Sequence, residues 1–234
     1  MTVDMMYSIV QYVANKFING GNISPDEFNN ILAPQAQYSF LNYLLGQFQD
    51  YQIGRSIARV EFGVNMVVRQ RLTPLIGPLV QINVDADGLA LYPDNYQQWD
   101  AFFQSNITNR VRPVQQQRLY SYLNDPIDPI AENPIVTLES GGFRIYPNTN
   151  YNGVTVPGSV INLSYVQTPP NIVWGYTLDP TTELPVYNPA TSTDPVWYDT
   201  DVLEIIARML SMVGVNLQSQ EVSQYAQMVA KGGQ

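Results

Sequence analysis

Gly20–Gly21–Asn22–Ile23–Ser24–Pro25–Asp26–Glu27–Phe28–Asn29–Asn30 holds both a helix stop and a helix start. The glycine pair supplies the left-handed conformation that ends helices. Ser24 then reads as an N-cap, Pro25 as the first helical residue, and Glu27 as the closing member of a capping box. Upstream, Val3, Met6, Tyr7, Val10, Val13, Ala14 and Phe17 recur at the spacing of one buried helix face. Downstream, Phe28, Ile31 and Leu32 begin a second apolar face. Pro34 predicts a break or kink there, because it lacks an N–H and crowds the preceding turn. The helical pattern resumes through Tyr38, Leu41, Leu45 and Phe48. The chain therefore opens with helices packed on one another.

Working outward, the period changes at residues 56–68. Ala58, Val60, Phe62, Val64, Met66 and Val68 alternate with Arg59, Glu61 and Asn65, which predicts a strand with one buried face. From about 72 to 190 the sequence is rich in Pro, Gly, Asn and Tyr. Short alternating runs predict strands at 79–84, 88–92, 134–139, 142–146 and 159–167, with helix interrupting around Tyr96–Phe103 and near 115–123. Leu91–Tyr92–Pro93 and Ile145–Tyr146–Pro147 echo one another as strand ends. Val202, Ile205, Ile206, Met209, Leu210 and Val213 form another helical stripe, with Asp201 and Glu204 near its start and Gly214 after it. A last helix is predicted from Ser219 through Val222, Tyr225, Ala226 and Val229. The fold class is α+β, read as one integrated domain. It comprises an N-terminal helical region at 1–55, a β-rich middle at 56–195 and a C-terminal helical region at 196–234.

Composition narrows the chemistry. The 234 residues contain neither Cys nor His. Cysteine and histidine nucleophiles, histidine-assisted serine triads, Cys/His zinc sites and thiol redox chemistry are thereby excluded. Hydrophobic residues make up 45% of the chain, which predicts a packed core, and charged residues only 13%. Twenty Asn and twenty Gln supply much of the remaining polarity. Amides lose less than ions on desolvation, so such surfaces suit contacts with other subunits, although a general compositional bias gives the same numbers. The net charge of −9 argues against broad phosphate-backbone binding. Residues 51–118 hold seven Arg against five acids, while residues 119–234 hold three bases against eleven acids, an asymmetry that neighbouring copies could use. No leader or membrane span is expected, since Met1–Met6 lacks a basic region and no apolar run is long enough.

Candidate sites are few. Asn83, Asp85, Asp87 and Asp94, with Gly88 at the sixth position, approximate the oxygen-ligand spacing of a calcium loop. Asn at the first position, Asp in place of Glu at the twelfth, and strand-like flanks favour a tight β-turn at Asp85–Gly88 instead. Carboxylate pairs Asp94/Asp100, Asp125/Asp128 and Asp199/Asp201 could in principle serve glycoside hydrolysis. Helix-terminus and turn roles explain the last two pairs more simply. Trp99, Trp174 and Trp197, with sixteen Tyr, read as anchors at protein–protein contacts. Arg110 and Arg112 are the best basic pair. Gly141–Gly142 has no following Lys or helix start and makes no phosphate loop. No catalytic residue, metal or cofactor is expected.

Two stretches resemble the neck and head-to-tail connector proteins of crAss-like and related tailed bacteriophages. The first carries Gly21, Ile23, Ser24, Pro25, Glu27, Phe28 and Asn29, followed by Ala36 and Gln37. The second runs from Trp197–Tyr198–Asp199 through Ile205, Leu210, Gly214–Val215–Asn216–Leu217 and Gln224–Tyr225–Ala226. Leu91–Tyr92–Pro93–Asp94–Asn95–Tyr96 and Ile145–Tyr146–Pro147 are similar to the middle of that group. The resemblance implies a non-enzymatic virion protein forming a ring, commonly of twelve copies, in the neck. Its partners would be the portal protein, other neck and tail rings, and copies of itself. Genomic DNA would pass through the channel without sequence-specific binding. A tail-associated, β-rich carbohydrate- or receptor-binding module is the alternative expectation.

Overall fold

The computed structural model describes residues 1–17, 22–53, 61–105, 110–124, 129–130, 132–148 and 160–213. Its helices are α1 (Val3–Phe17), α2 (Pro25–Glu27), α3 (Ala33–Ile53), α4 (Glu61–Leu72), α5 (Gln116–Leu123) and α6 (Asp199–Met212). Its strands are β1 (Val80–Asn83), β2 (Leu89–Leu91), β3 (Tyr96–Gln104), β4 (Arg112–Pro113), β5 (Ile135–Glu139), β6 (Gly142–Tyr146), β7 (Val160–Gln167), β8 (Tyr176–Leu178) and β9 (Pro185–Tyr187). The class is α+β, as the sequence predicts. Two compact units share the chain: residues 1–74 with 169–234 form one, and residues 75–168 form the other.

The first unit is mainly helical. Its capping box is complete: Ser24 Oγ accepts the Glu27 N–H at 3.2 Å, and Glu27 Oε2 accepts the Ser24 N–H at 2.9 Å. Pro34 does not break the helix. A single π turn, Phe28–Leu32, joins α2 to α3, with the Ala33 N–H bonded to the Phe28 carbonyl. The wider turn relieves the crowding that the proline ring imposes on the preceding carbonyls. Val3, Met6, Val10 and Ala14 of α1 are buried, as are Phe40, Leu41 and Leu44 of α3. Val202, Ile205, Ile206 and Met209 of α6 complete the same apolar packing. The predicted Gly20–Gly21 stop, and everything from Gly214 through the predicted last helix, lie outside the described residues.

The strand predicted at 56–68 is a correction: its described part lies in α4. A short run with apolar residues at every second position also has them at i and i+4, so both periods fit. Burial distinguishes them, since Val68 and Leu72 point into the core while Gln70, which a strand would place on their face, is exposed. Arg71, on the same helix, reaches α6, where Nε donates to Asp201 Oδ1 and Nη2 donates to Glu204 Oε2, both at 2.7 Å. Arg208 Nη2 donates to the other Glu204 oxygen at 3.1 Å. Both guanidinium groups lie over the Phe40 ring, at 5.1 and 5.7 Å from its centroid. Burial alone would raise the Glu204 pKa. The hydrogen bonds and charges of Arg71 and Arg208 outweigh it and hold the carboxyl below its ordinary 4.5. A carboxylate held low in the folded state adds stability above its unfolded value, lost as pH falls through the folded value. The denaturant midpoint of the helical unit is therefore expected to fall as pH drops below 4.5. Glu204→Gln should be less stable at neutral pH and show a shallower acid decline; equal slopes in the two proteins would refute the assignment.

The second unit is β-rich. One sheet runs β1-β7-β3 and the other β2-β6-β5-β4, antiparallel throughout except for β4 alongside β5. Their inner faces share one core: Ile82, Phe102, Ile161, Leu163 and Tyr165 from the first, Ala90, Val136, Phe143 and Ile145 from the second. Val111 N–H donates to the Phe102 carbonyl and Asp85 N–H to the Leu89 carbonyl, so the sheets are tied along both sides. The echoing Leu-Tyr-Pro and Ile-Tyr-Pro segments end β2 and β6, which pair with each other. Tyr96 stacks on Tyr92 at 4.7 Å and meets Phe143 edge-on at 5.3 Å. Burial there pushes its phenol up to about 12, against a partly offsetting hydrogen bond from the Trp99 N–H.

Five predicted strands are present within a residue or two at each end, and α5 occupies the helix predicted near 115–123. The helix predicted over Tyr96–Phe103 is instead the strand β3. Register shifts between Tyr96 and Gln98, and between Trp99 and Ala101, break the alternation that would have revealed it.

Candidate functional site

Asn83 lies on β1 opposite Val160, and Asp85 turns the chain from one sheet into the other. Asp85 Oδ1 accepts the Leu89 N–H at 2.7 Å, its carbonyl accepts the Gly88 N–H, and Gly88 adopts φ +82°. The Asp87 carbonyl accepts a bond from Arg144, and Asp94 sits exposed before β3. Strands, not helices, flank this loop. Among the described residues, no group of three or more His, Cys, Asp or Glu is placed to hold a metal ion.

The carboxylate pairs are dispersed in role. Asp100 accepts from the Ser164 hydroxyl at 3.0 Å across β3 and β7. Asp125 and Asp128 fall outside the described residues. Asp199 meets the Met1 amino group, while Asp201 is buried against Arg71. Gly141 lies in the turn between β5 and β6, and Gly142, which opens β6, passes tightly over Ala90.

The tryptophans are internal, which corrects the expectation that Trp174 and Trp197 are surface anchors. Trp197 packs edge-on against Phe40, and Trp174 is only 5% exposed. Trp174 instead seats a feature absent from the sequence prediction, the two-stranded ribbon β8–β9. Its indole lies 4.4 Å from the Tyr7 ring, stacks on Tyr176 at 5.9 Å and meets Tyr187 at a tilt at 5.7 Å. Nε1 donates to Asp4 Oδ1 at 2.9 Å. Asn29 on the π turn clasps its backbone: Oδ1 accepts the Trp174 N–H at 2.7 Å, and Nδ2 donates to the Trp174 carbonyl at 3.0 Å. The Tyr176 hydroxyl bonds Asp26.

Beyond this base the ribbon carries apolar side chains into solvent. Leu178 and Leu184 are each 62% exposed and Val186 is 51% exposed. Its tip is acidic. The Asp179 carboxylate accepts the Thr182 and Thr181 N–H groups, which hold it below its ordinary pKa. Glu183 is fixed in the left-handed region at φ +56°. An isolated two-stranded ribbon is marginal in water, and this one stands because its base is clamped. Leu178 lies on one face of the ribbon and Leu184 and Val186 on the other, and exposed aliphatics of this kind have the chemistry of a protein–protein contact. A faint signal lay in Tyr176–Leu178 and Leu184–Tyr187 flanking an Asp-Pro-Thr-Thr-Glu turn, masked by the proline at each end.

Asn29→Ala should remove the clasp and leave a buried N–H and carbonyl unpaired, costing about 2 kcal/mol. Urea unfolding measures the cost, and a red shift in tryptophan emission is expected to accompany it. No described helix is long and apolar enough to cross a membrane. In comparison with known proteins, no family model and no curated protein matches this chain.

Proposed function

We propose that the chain is a structural virion protein of a tailed bacteriophage, one subunit of a ring in the neck between portal and tail. The observation that carries this reading is the β8–β9 ribbon, whose exposed Leu178, Leu184 and Val186 stand on an aromatic base and suit contact with another chain. The resemblance over the Ser24 capping box and the Trp197–Leu210 stripe adds to it. Such a subunit works mechanically. Heterologous contacts that close on themselves produce a ring from one repeated interface. A net charge of −9 suits a channel through which DNA slides without being held.

The alternative, a carbohydrate-binding tail module, loses support from the tryptophans. Trp174 and Trp197 are buried and offer no open face for a sugar ring.

The test is to mix the protein with the portal protein of the same phage, image the mixture by negative stain and weigh it by native mass spectrometry. Rings capping the portal, with a copy number matching its symmetry, are expected. Monomers or trimers that ignore the portal would reject the ring and send the protein to a glycan array.

A further inference from the structure

We infer that the β8–β9 ribbon of one copy docks on the Arg110–Tyr120 surface of a second copy, making the repeated head-to-tail contact of the proposed ring. The inference deepens the ring reading and rests on it for closure.

Charge complementarity and exposed apolar surface carry the argument. The ribbon, residues 176–187, contains two acids and no Lys or Arg. Asp179 and Glu183 stand at the ribbon tip beside Leu178, Leu184 and Val186. Residues 101–124 show the opposite balance, with three Arg and no acid. Arg110, Arg112 and Arg118 are all exposed there. Arg112 lies 4.8 Å from the Tyr122 ring, and Tyr120 is 78% exposed. Asp100 and Asp125 flank this stretch in sequence and Glu132 lies on the adjoining turn, and these acids temper the positive surface. An acidic aliphatic arm thus has an arginine- and tyrosine-bearing counterpart on the same chain, and Arg and Tyr are the residues most often central to protein contacts.

Because arm and counterpart are different surfaces, the contact is heterologous: each copy gives one and receives one. A ribbon tip is smaller than the area a stable isolated pair requires, so each contact is weak alone. Closing a ring turns successive contacts intramolecular and strengthens the whole.

Sedimentation velocity on the intact protein, from micromolar to near-millimolar concentration, tests this. Wild type should self-associate with concentration, and less so as salt is raised. Leu178→Ser with Leu184→Ser should weaken association at least about tenfold, and Arg110→Glu with Arg118→Glu should do the same. Mixing these two variants should give a dimer that grows no further, because one intact arm still meets one intact surface. Glu183→Arg should restore part of the association lost by the arginine variant. Tyr12→Ser, elsewhere on the surface, should change nothing, and unchanged circular dichroism should show that each variant folds. A wild type that stays monomeric throughout overturns the inference. So does an arginine variant that associates as wild type does while the leucine variant fails, which would mean ribbon-to-ribbon pairing. Rings on the portal from a protein monomeric alone would keep the ring reading and reject this contact. Self-association that follows these variants without any binding to portal would do the reverse.

Discussion

Arg71→Ala is expected to destabilise the helical unit by about 3–5 kcal/mol, read as a fall in the urea midpoint at neutral pH. Asp201 is the reason. Its side chain is 3% exposed, Arg71 holds Oδ1 at 2.7 Å, and Oδ2 has no hydrogen-bond partner among the described residues. Removing the guanidinium strands a carboxylate where water cannot reach it, and also strips a cation from the Phe40 face. Desolvation dominates, because an exposed pair of the same geometry contributes no more than about 1 kcal/mol. Adding Asp201→Asn to Arg71→Ala should therefore recover most of the loss, since it deletes the stranded charge. Arg71→Lys should fall between, because a single ammonium cannot span Asp201 and Glu204 as the planar fork does. If Arg71→Ala and the double variant prove equally unstable, packing on Phe40 outweighs the buried charge.

Gly88→Ala is expected to cost the β-rich unit about 3 kcal/mol or more, through two separate penalties. At φ +82° an L side chain is strained wherever it sits. A Cβ at this position would also stand 2.4 Å from the Ile145 carbonyl oxygen and 2.7 Å from the Asn148 Cβ. Neither can withdraw easily: the Ile145 N–H is bonded to the Gly88 carbonyl at 2.8 Å, and Asn148 Nδ2 is bonded to the Ile145 carbonyl at 3.1 Å. Gly141→Ala, on the open turn before β6 with nothing within 4 Å of the added carbon, is the natural control and should be nearly silent. Thermal unfolding of the two variants should separate them clearly, and equal melting would show that the loop relaxes around the methyl group.

What could be read from sequence followed from how local each signal is. The capping box at Ser24–Glu27 and the stripe from Val202 to Leu210 are complete within a few residues, and both stand as expected. β5, β6 and β7 declared themselves because each runs without an inserted residue. β3 did not, since two register irregularities scramble its alternation, and α4 was misread because short apolar alternation serves two periods. The ribbon was hidden for another reason. What makes it stand is Trp174 held by Tyr7, Asp4 and Asn29, partners between 145 and 170 residues away in sequence. The Arg71–Asp201 pair spans 130 residues and is equally invisible to any local window. The Trp174 pairings make the base of the ribbon, so it had to be seen in three dimensions.

The helical unit is written in two instalments, with residues 75–168 between them. That order has a temporal consequence during synthesis. The β-rich unit is contiguous and can complete its core as soon as β7 leaves the ribosome. Helices α1 and α3 emerge far earlier, yet the part of their apolar faces that packs on α6 stays unmatched until α6 has been translated. Closing so long a loop is entropically slow, although its cost grows only with the logarithm of length. The early helices are thus the segment most in need of a chaperone's shelter, and slowed translation before α6 should lower the soluble yield more than the same delay after it.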